Sequence, residues 1–180
     1  MRSNLQLVVM GVSGCGKSTV SQAIGEKLGL QVADGDDFHS AESRAKMHSG
    51  IALEDADRWP WLDRIAQHLA SHTAQTLAGK VVACSALKLA YRNQIRATVP
   101  HVLFIFLDGT SDLIRERMAM RQGHFMQLSL LDSQLRTLEK PTPEEKDVVA
   151  INIDKSIDDI TAQIVSKLEK RQALERVTAL

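Results

Sequence analysis

The chain has 180 residues, of which 44% are hydrophobic and 24% charged, a size and composition typical of one compact domain around one core. The 22 basic and 22 acidic residues cancel to zero formal net charge, which argues against nucleic acid or a membrane surface as a partner. The first apolar run, residues 5–10, is too short for a signal peptide or a membrane span, and the two cysteines form no CxxC pair. We therefore expect a cytoplasmic protein with one functional site.

Short apolar segments alternate with longer amphipathic ones along the chain. The apolar segments predict five strands, at residues 5–10, 30–33, 80–85, 101–107 and 148–153. Their aliphatic, barely alternating composition is typical of a parallel sheet covered on both faces. Apolar residues four apart predict helices between the strands, and Ser156 with Asp159 predicts the start of the last helix. The pattern predicts a three-layer α/β fold that binds ligands beyond the carboxyl ends of its strands.

Two stretches fall outside this pattern. Residues 34–64 contain eight acidic and four basic residues, and they predict a polar, partly helical insertion on the substrate side of the sheet edge. Residues 115–146 begin with arginines and end near two prolines, which predicts a helical lid. Because no linker or repeat divides the chain, we expect residues 1–180 to form a single domain.

A glycine-rich motif directly follows the first predicted strand. Residues 11–18 read GVSGCGKS, which matches GxxxxGK[ST], and a helix is predicted immediately after them. In such a loop the backbone N–H groups and the helix N-terminus bind phosphate. Lys17 would then reach the β and γ phosphates and the Ser18 hydroxyl would ligate Mg²⁺. The alternative is a flexible turn that matches by chance, and the flanking strand and helix favour the nucleotide site.

A phosphate loop alone does not separate a kinase from a GTPase switch or a motor ATPase. The sequence contains neither the DxxG nor the NKxD segment of GTPases, which argues against a switch. Asp34 and Asp36 follow the second predicted strand. One carboxylate can support Mg²⁺ while the other accepts the proton of an attacking hydroxyl, unless both lie in a solvated acidic turn. His39 is a weaker candidate, and Asp108 is either a second metal carboxylate or a strand-end turn residue.

Two pairs of cations are spaced four residues apart. Lys88 and Arg92 follow the third predicted strand, with Ser85 as the expected N-cap, and they form either a clamp for a carboxylate or phosphate or a solvated basic face. Arg117 and Arg121 lie in the predicted lid, where arginines can neutralise charge on a transferring phosphoryl group.

Several separated segments together resemble the bacterial gluconate kinases, which are P-loop small-molecule kinases. The resemblance extends over residues 10–154 through GVSGCGKST, DGDDFH, KMHSG, DADRWPWL, CSALKLAYR, RMAMRQGHFM, LLDSQLRTLEKP and INID. It implies a three-layer P-loop kinase fold with a helical lid. It also implies that a cytoplasmic homodimer uses ATP and Mg²⁺ to phosphorylate D-gluconate at the 6-hydroxyl.

The candidate site residues are assigned by position within these segments. The candidate catalytic residues are Asp36, Lys17, Arg117 and Arg121. The candidate metal-holding residues are Ser18 and Asp34. The candidate substrate contacts are Asp36, His39, Lys88, Arg92 and His124. The candidate ATP contacts are Gly11, Val12, Ser13, Gly14, Cys15, Gly16, Lys17, Ser18 and Thr19.

Two other functions remain as alternatives. A shikimate-type or nucleoside monophosphate kinase shares the phosphate loop and the lid. A nucleotide-regulated binding protein without turnover is the alternative from another class. Activity against a panel of phosphoryl acceptors separates the three.

Overall fold

Strands and helices alternate along the chain, as the sequence predicts. The computed structural model describes residues 4–71, 78–120 and 128–178. The strands are β1 (Leu5–Met10), β2 (Gln31–Asp34), β3 (Gly79–Ala83), β4 (Leu103–Asp108) and β5 (Val148–Asn152). The helices are α1 (Lys17–Leu28), α2 (Ala41–His48), α3 (Asp55–Ala70), α4 (Leu89–Thr98), α5 (Ser111–Met120), α6 (Leu128–Thr137) and α7 (Ile157–Thr178). Within the described ranges, no helix combines the length and the apolar character needed to cross a membrane.

The five strands form one parallel sheet with β1 at its centre. Their order is β2-β3-β1-β4-β5. The register pairs Val9 of β1 with Ala83 of β3, and Ala83 with Asp34 of β2. The carboxyl ends of these three strands therefore lie level with one another, at the edge where the sequence predicts the site.

Helices cover the sheet on both faces. Leu7 and Val9 of β1 belong to an apolar cluster that includes residues of α1 and α7. Their neighbours Val8 and Met10 belong to a second cluster, which includes residues of α3 and α4. All four side chains are at most 1% exposed. Burial on both faces explains why the strands appear in the sequence as continuous apolar runs.

Helix α3 crosses the predicted end of the insertion at residue 64. Its second half carries Trp61, Ile65 and Leu69, which are buried against the sheet as their four-residue spacing predicts. Trp61 also donates from Nε1 to the carbonyl oxygen of Gly35 at 2.7 Å. The second half of α3 is thus part of the core, and this bond ties it to the turn after β2.

The N-cap of helix α4 lies three residues later than predicted, at Lys88 and not at Ser85. The chain after β3 passes through Ala86, a buried residue with φ 41°, in the left-handed region that residues with a Cβ rarely adopt. Lys88 occupies the N-cap position instead, and the helix starts at Leu89. Residues 84–88 therefore form a loop between the end of β3 and the start of α4.

A buried ion-pair network joins α4 to the segment that precedes β5. Arg92 is 1% exposed, and its Nη2 and Nε donate to the two carboxylate oxygens of Glu145 at 2.6 and 2.7 Å. Arg96 donates to Glu145 at 2.7 Å and also pairs with Asp147. The Arg92 hydrogen bond, reinforced by Arg96, lowers the pKa of Glu145 to about 2.

We predict that Glu145→Gln lowers the free energy of unfolding at pH 7 by about 3 kcal/mol, because it leaves the buried Arg92 charge without its counter-ion. A folded-state pKa below the ordinary 4.5 means that the stabilisation is present above that pH and is lost as the pH falls toward about 2. Urea unfolding at pH 7 and pH 3 should therefore show a smaller difference between wild type and variant at pH 3.

The matched control is Glu169→Gln, which alters an exposed glutamate on α7. It should leave stability unchanged at both pH values. A Glu145→Gln effect that is equally large at pH 7 and pH 3 would contradict the assignment to the charged pair.

Candidate active site

The phosphate loop connects β1 to α1 and has the shape that the motif predicts. Gly16 is the N-cap of α1 with φ 99°, a conformation that glycine adopts at little cost, and Lys17 opens the helix. The Lys17 ammonium group donates to the carbonyl oxygen of Val12 at 3.0 Å. In this structure the Lys17 side chain therefore folds back onto the backbone of its own loop.

Side chains from two later helices contact this loop. Met118 of α5 lies so close to Gly14 that a Cβ there would be 2.5 Å from its Cγ, which accounts for glycine at this position. Gln134 of α6 accepts a hydrogen bond from the Ser13 backbone N–H at 2.6 Å. Cys15 is buried within the loop, and burial raises the pKa of its thiol, so it packs there as a neutral group.

The oxygen-bearing side chains of Ser18 and Asp34 lie together where α1 begins beside β2. The Ser18 hydroxyl donates to Asp34 Oδ2 at 3.0 Å, and the Asp36 backbone N–H donates to Asp34 Oδ1 at 3.1 Å. A hydroxyl and a carboxylate are ligands that Mg²⁺ accepts when phosphates and water complete its shell. The described residues contain no group of three or more His, Cys, Asp or Glu side chains that could hold a metal by themselves. Ser18 and Asp34 thus fit a magnesium ion shared with phosphates.

Asp36 projects into solvent next to this pair, with 84% of its side chain exposed. The protein around the carboxyl group still removes part of its hydration. This desolvation, together with the negative charge of Asp34, raises the pKa of Asp36, and the nearby charge of Lys17 opposes the rise. An accessible carboxylate with a raised pKa is suited to accept a proton from a hydroxyl group.

His39 lies at the end of the same turn and is buried. Its ring stacks on Trp61 with centroids 4.5 Å apart, and its Nε2 lies 3.9 Å from Asp36 Oδ1. Among the described residues Nδ1 has no hydrogen-bond partner, which is rare for a buried polar atom. Burial lowers the pKa of His39 to about 4, and three surrounding arginines contribute to this shift.

Those three arginines form a cationic cluster that sequence reasoning missed. Arg64 and Arg44 donate to the backbone carbonyl oxygens of Phe38 and Asp37 at 2.6 and 3.4 Å. Arg58 lies in the first half of α3. In the sequence they are three isolated basic residues in an acidic stretch, with no spacing that links them. Arg44 and Arg64 thus reach the backbone of the two residues before His39, and together with Arg58 they lower the pKa of the His39 ring.

Lys88 belongs to a neighbouring polar cluster at the start of α4. Its Nζ donates to both carboxylate oxygens of Asp55, at 3.0 and 2.8 Å, and the Tyr91 hydroxyl donates to the same carboxylate. Arg58 Nη1 lies 3.4 Å from Asp55 Oδ1 and donates to the Tyr91 hydroxyl at 3.3 Å. Lys88 and Arg58 are 30% and 27% exposed, so both can reach a ligand.

Three of the predicted residues are engaged by other protein groups in the structure. Arg92 is held by Glu145 and by three backbone carbonyl groups, because its guanidinium group is enclosed within the fold. Arg117 of α5 donates to the carbonyl oxygen of Ile153 at 2.6 Å, near enough to the loop for its charge to act on Cys15. Asp108 pairs with Lys140 at 2.9 Å.

The candidate catalytic residue Arg121 and the candidate substrate contact His124 lie in the predicted lid, outside the described residues.

Comparisons with known proteins agree with this geometry. Residues 13–169 match the family model described as Shikimate kinase. The thermosensitive gluconokinase of Escherichia coli is 42% identical over 156 residues, which cover 87% of this chain and 83% of that protein. The crystal structure of a gluconokinase from Sinorhizobium meliloti superposes with a TM-score of 0.89 at 40% identity and covers all of both chains. An APS kinase from Mycobacterium tuberculosis, at 21% identity and a TM-score of 0.62, shares the fold.

The parallel sheet, the phosphate loop and the adjoining carboxylates define a P-loop kinase of small molecules. The chain belongs to the gluconokinase family.

We predict that His39 stays neutral as the pH is lowered from 8 to 5 and gains a proton only near pH 4, because an imidazolium ion would be desolvated and repelled by the arginines. Long-range ¹H–¹⁵N NMR of the imidazole nitrogens measures this directly, and His39→Gln identifies the resonance by its loss. A midpoint between pH 6 and 7 would contradict the buried, cation-facing environment.

Proposed function

We propose that this protein is an ATP-dependent gluconokinase that transfers the γ-phosphoryl group of ATP to the 6-hydroxyl of D-gluconate. The observation that carries the proposal is the linked arrangement of Ser18, Asp34 and Asp36 beside the phosphate loop. It supplies a magnesium site and a proton acceptor at one place, as phosphoryl transfer to an alcohol requires. The relatives named as gluconokinases support gluconate as the acceptor.

The nucleotide end of the site is the phosphate loop, residues 11–19. Its backbone N–H groups and the N-terminus of α1 bind the phosphates, and the flexible Lys17 side chain moves from the Val12 carbonyl to them. Ser18 and Asp34 would hold Mg²⁺ beside the phosphates. When bound, this ion neutralises charge on the β and γ phosphates.

The acceptor end of the site is Asp36. Its carboxylate orients the 6-hydroxyl of gluconate and takes its proton as the hydroxyl oxygen bonds to the γ-phosphorus and the bond to ADP breaks. The raised pKa of Asp36, caused by desolvation and by the charge of Asp34, makes this proton transfer easier. Lys17 and Arg117, with Arg121 from the predicted lid, stabilise the negative charge on the transferring group.

The cations around the cleft favour an acidic acceptor. Lys88 and Arg58 share the Asp55 carboxylate in the structure, and a substrate carboxylate can take the place of that partner. A substrate hydroxyl group is the proposed partner of His39 Nδ1, which has no hydrogen-bond partner among the described residues. Arg92 is left out of the substrate contacts because its donors are used by Glu145 and by backbone carbonyl groups.

The remaining parts of the proposal rest on the resemblance to the bacterial gluconate kinases. They are a single catalytic domain over residues 1–180 with a lid at residues 115–146, His124 as a substrate contact, a homodimeric assembly and a cytoplasmic location.

A coupled assay of ADP release with MgATP tests the proposal. The acceptors are D-gluconate, L-idonate, 5-ketogluconate, shikimate, AMP and CMP, with a control that lacks any acceptor. We expect gluconate to give the highest kcat/KM, because its carboxylate meets Lys88 and Arg58 while its 6-hydroxyl reaches Asp36. Turnover with shikimate or a nucleotide in its place would support the alternative kinases, and ATP binding without turnover would support a binding protein.

We predict that Asp36→Asn lowers kcat by about 10²-fold or more, because the amide cannot accept the hydroxyl proton. The Kd for ATP should change by no more than about twofold, since the phosphate loop and Asp34 are intact. Steady-state kinetics and calorimetric titration with a non-hydrolysable ATP analogue measure the two effects.

The matched control is Asp37→Asn, which removes another exposed carboxylate one residue away. It should retain nearly full activity. Equal turnover by the Asp36 variant and wild type would remove Asp36 from the mechanism.

A further inference from the structure

Helix α6 and the turn after it carry the segment LLDSQLRTLEKP, which supplies none of the site residues assigned so far. This segment contains a glutamine, Gln134, on the side of the helix that faces the core. Leu131 is fully buried three residues before it, and Leu138, four residues after it, packs against the same apolar cluster. A polar side chain on such a face is costly unless it finds a hydrogen-bond partner.

The partner of Gln134 is the phosphate loop. The carboxamide oxygen accepts the Ser13 backbone N–H at 2.6 Å, across 121 residues of sequence. Ser13 follows Val12, whose carbonyl oxygen accepts from Lys17, and precedes Gly14, which lies against Met118. The first half of the loop is therefore held at three successive residues, and at Ser13 the contact is a hydrogen bond from the loop backbone to a side chain of α6.

The position of α6 is fixed independently of this bond. Its Asp132 pairs with Arg115 of α5. Immediately after the helix, the Glu139 backbone N–H donates to the carbonyl oxygen of Leu87 at 2.9 Å. Lys140 then pairs with Asp108 at the end of β4. α6 therefore has contacts of its own besides the one with the loop, and Gln134 reaches Ser13 from a helix that is anchored elsewhere as well.

We propose that Gln134 is a positioning residue of the nucleotide site, which holds the first half of the phosphate loop in the conformation that receives the terminal phosphates of ATP. This inference rests on the proposed function as an ATP-dependent kinase. The loop binds phosphate with backbone N–H groups, whose directions depend on the loop conformation. A loop that is already ordered loses less conformational entropy when ATP binds, so the bond increases ATP affinity without contact between Gln134 and gluconate.

Two substitutions test the proposal. Gln134→Met keeps the length of the side chain and removes the acceptor, and Gln134→Ala removes the whole group in case the methionine disturbs packing. The control is Arg136→Met, the same change at an exposed position of the same helix. For each protein, the Kd of a non-hydrolysable ATP analogue, both KM values, kcat and the Tm without nucleotide are measured.

Loss of one hydrogen bond predicts that the Kd and the KM for ATP rise about tenfold in both Gln134 variants. The KM for gluconate should stay within about twofold of wild type, the Tm should fall by no more than a few degrees, and Arg136→Met should match wild type. Unchanged or tighter analogue binding in both variants would overturn the proposal. So would equal rises in the two KM values accompanied by a large fall in Tm, which indicate a purely structural role.

The same measurements keep this inference separate from the proposed function. If wild type binds the analogue but transfers nothing to gluconate, gluconokinase activity is wrong, and the binding comparison still decides the role of Gln134. If wild type phosphorylates gluconate and the Gln134 variants bind the analogue as tightly as wild type does, the function stands and the positioning role is wrong.

Discussion

The register of three neighbouring strands determines where the chemistry of this protein can take place. β3 lies between β1 and β2, and it sets Val9, Ala83 and Asp34 at one level of the sheet. The phosphate loop leaves β1 two residues later, and Ser18 at the start of α1 meets Asp34. A shift of one residue in β2 would turn the Asp34 side chain to the opposite face of the sheet and separate it from Ser18.

Charge in the cleft depends on which cations the fold leaves accessible. Arg58 and Lys88 remain partly exposed beside a carboxylate, so an acidic ligand can reach them. Arg92 and Arg96 are the same kind of residue on the next turns of α4, yet Glu145 and Asp147 neutralise them within the structure. The first pair favours binding of an acidic substrate, and the second holds the chain in place before β5. This division depends on burial and counter-ions, since both pairs consist of basic residues.

The phosphate loop is also connected to elements far from it in sequence. α5 contacts Gly14 through Met118, and α6 contacts Ser13 through Gln134. The second half of α5 and all of α6 lie within residues 115–146, which the sequence predicts to form the lid. A nucleotide site supported in this way is shaped by the second half of the chain as well as by its own motif, and the GxxxxGK[ST] pattern describes only the part that touches phosphate.

The sequence by itself determined the five strands, the phosphate loop and the order of the elements, because apolar period and glycine spacing are local properties that a chain displays before it folds. It also pointed to Asp34 and Asp36, since a residue that ends a parallel strand must lie at the ligand-binding edge. Only the tertiary structure decided that Arg92 is enclosed, that Arg44, Arg58 and Arg64 surround His39, and that Gln134 reaches Ser13. Those outcomes depend on burial and on contacts between residues far apart in the chain, and a polar side chain carries no local signal of whether its partner will be solvent, a counter-ion or a ligand.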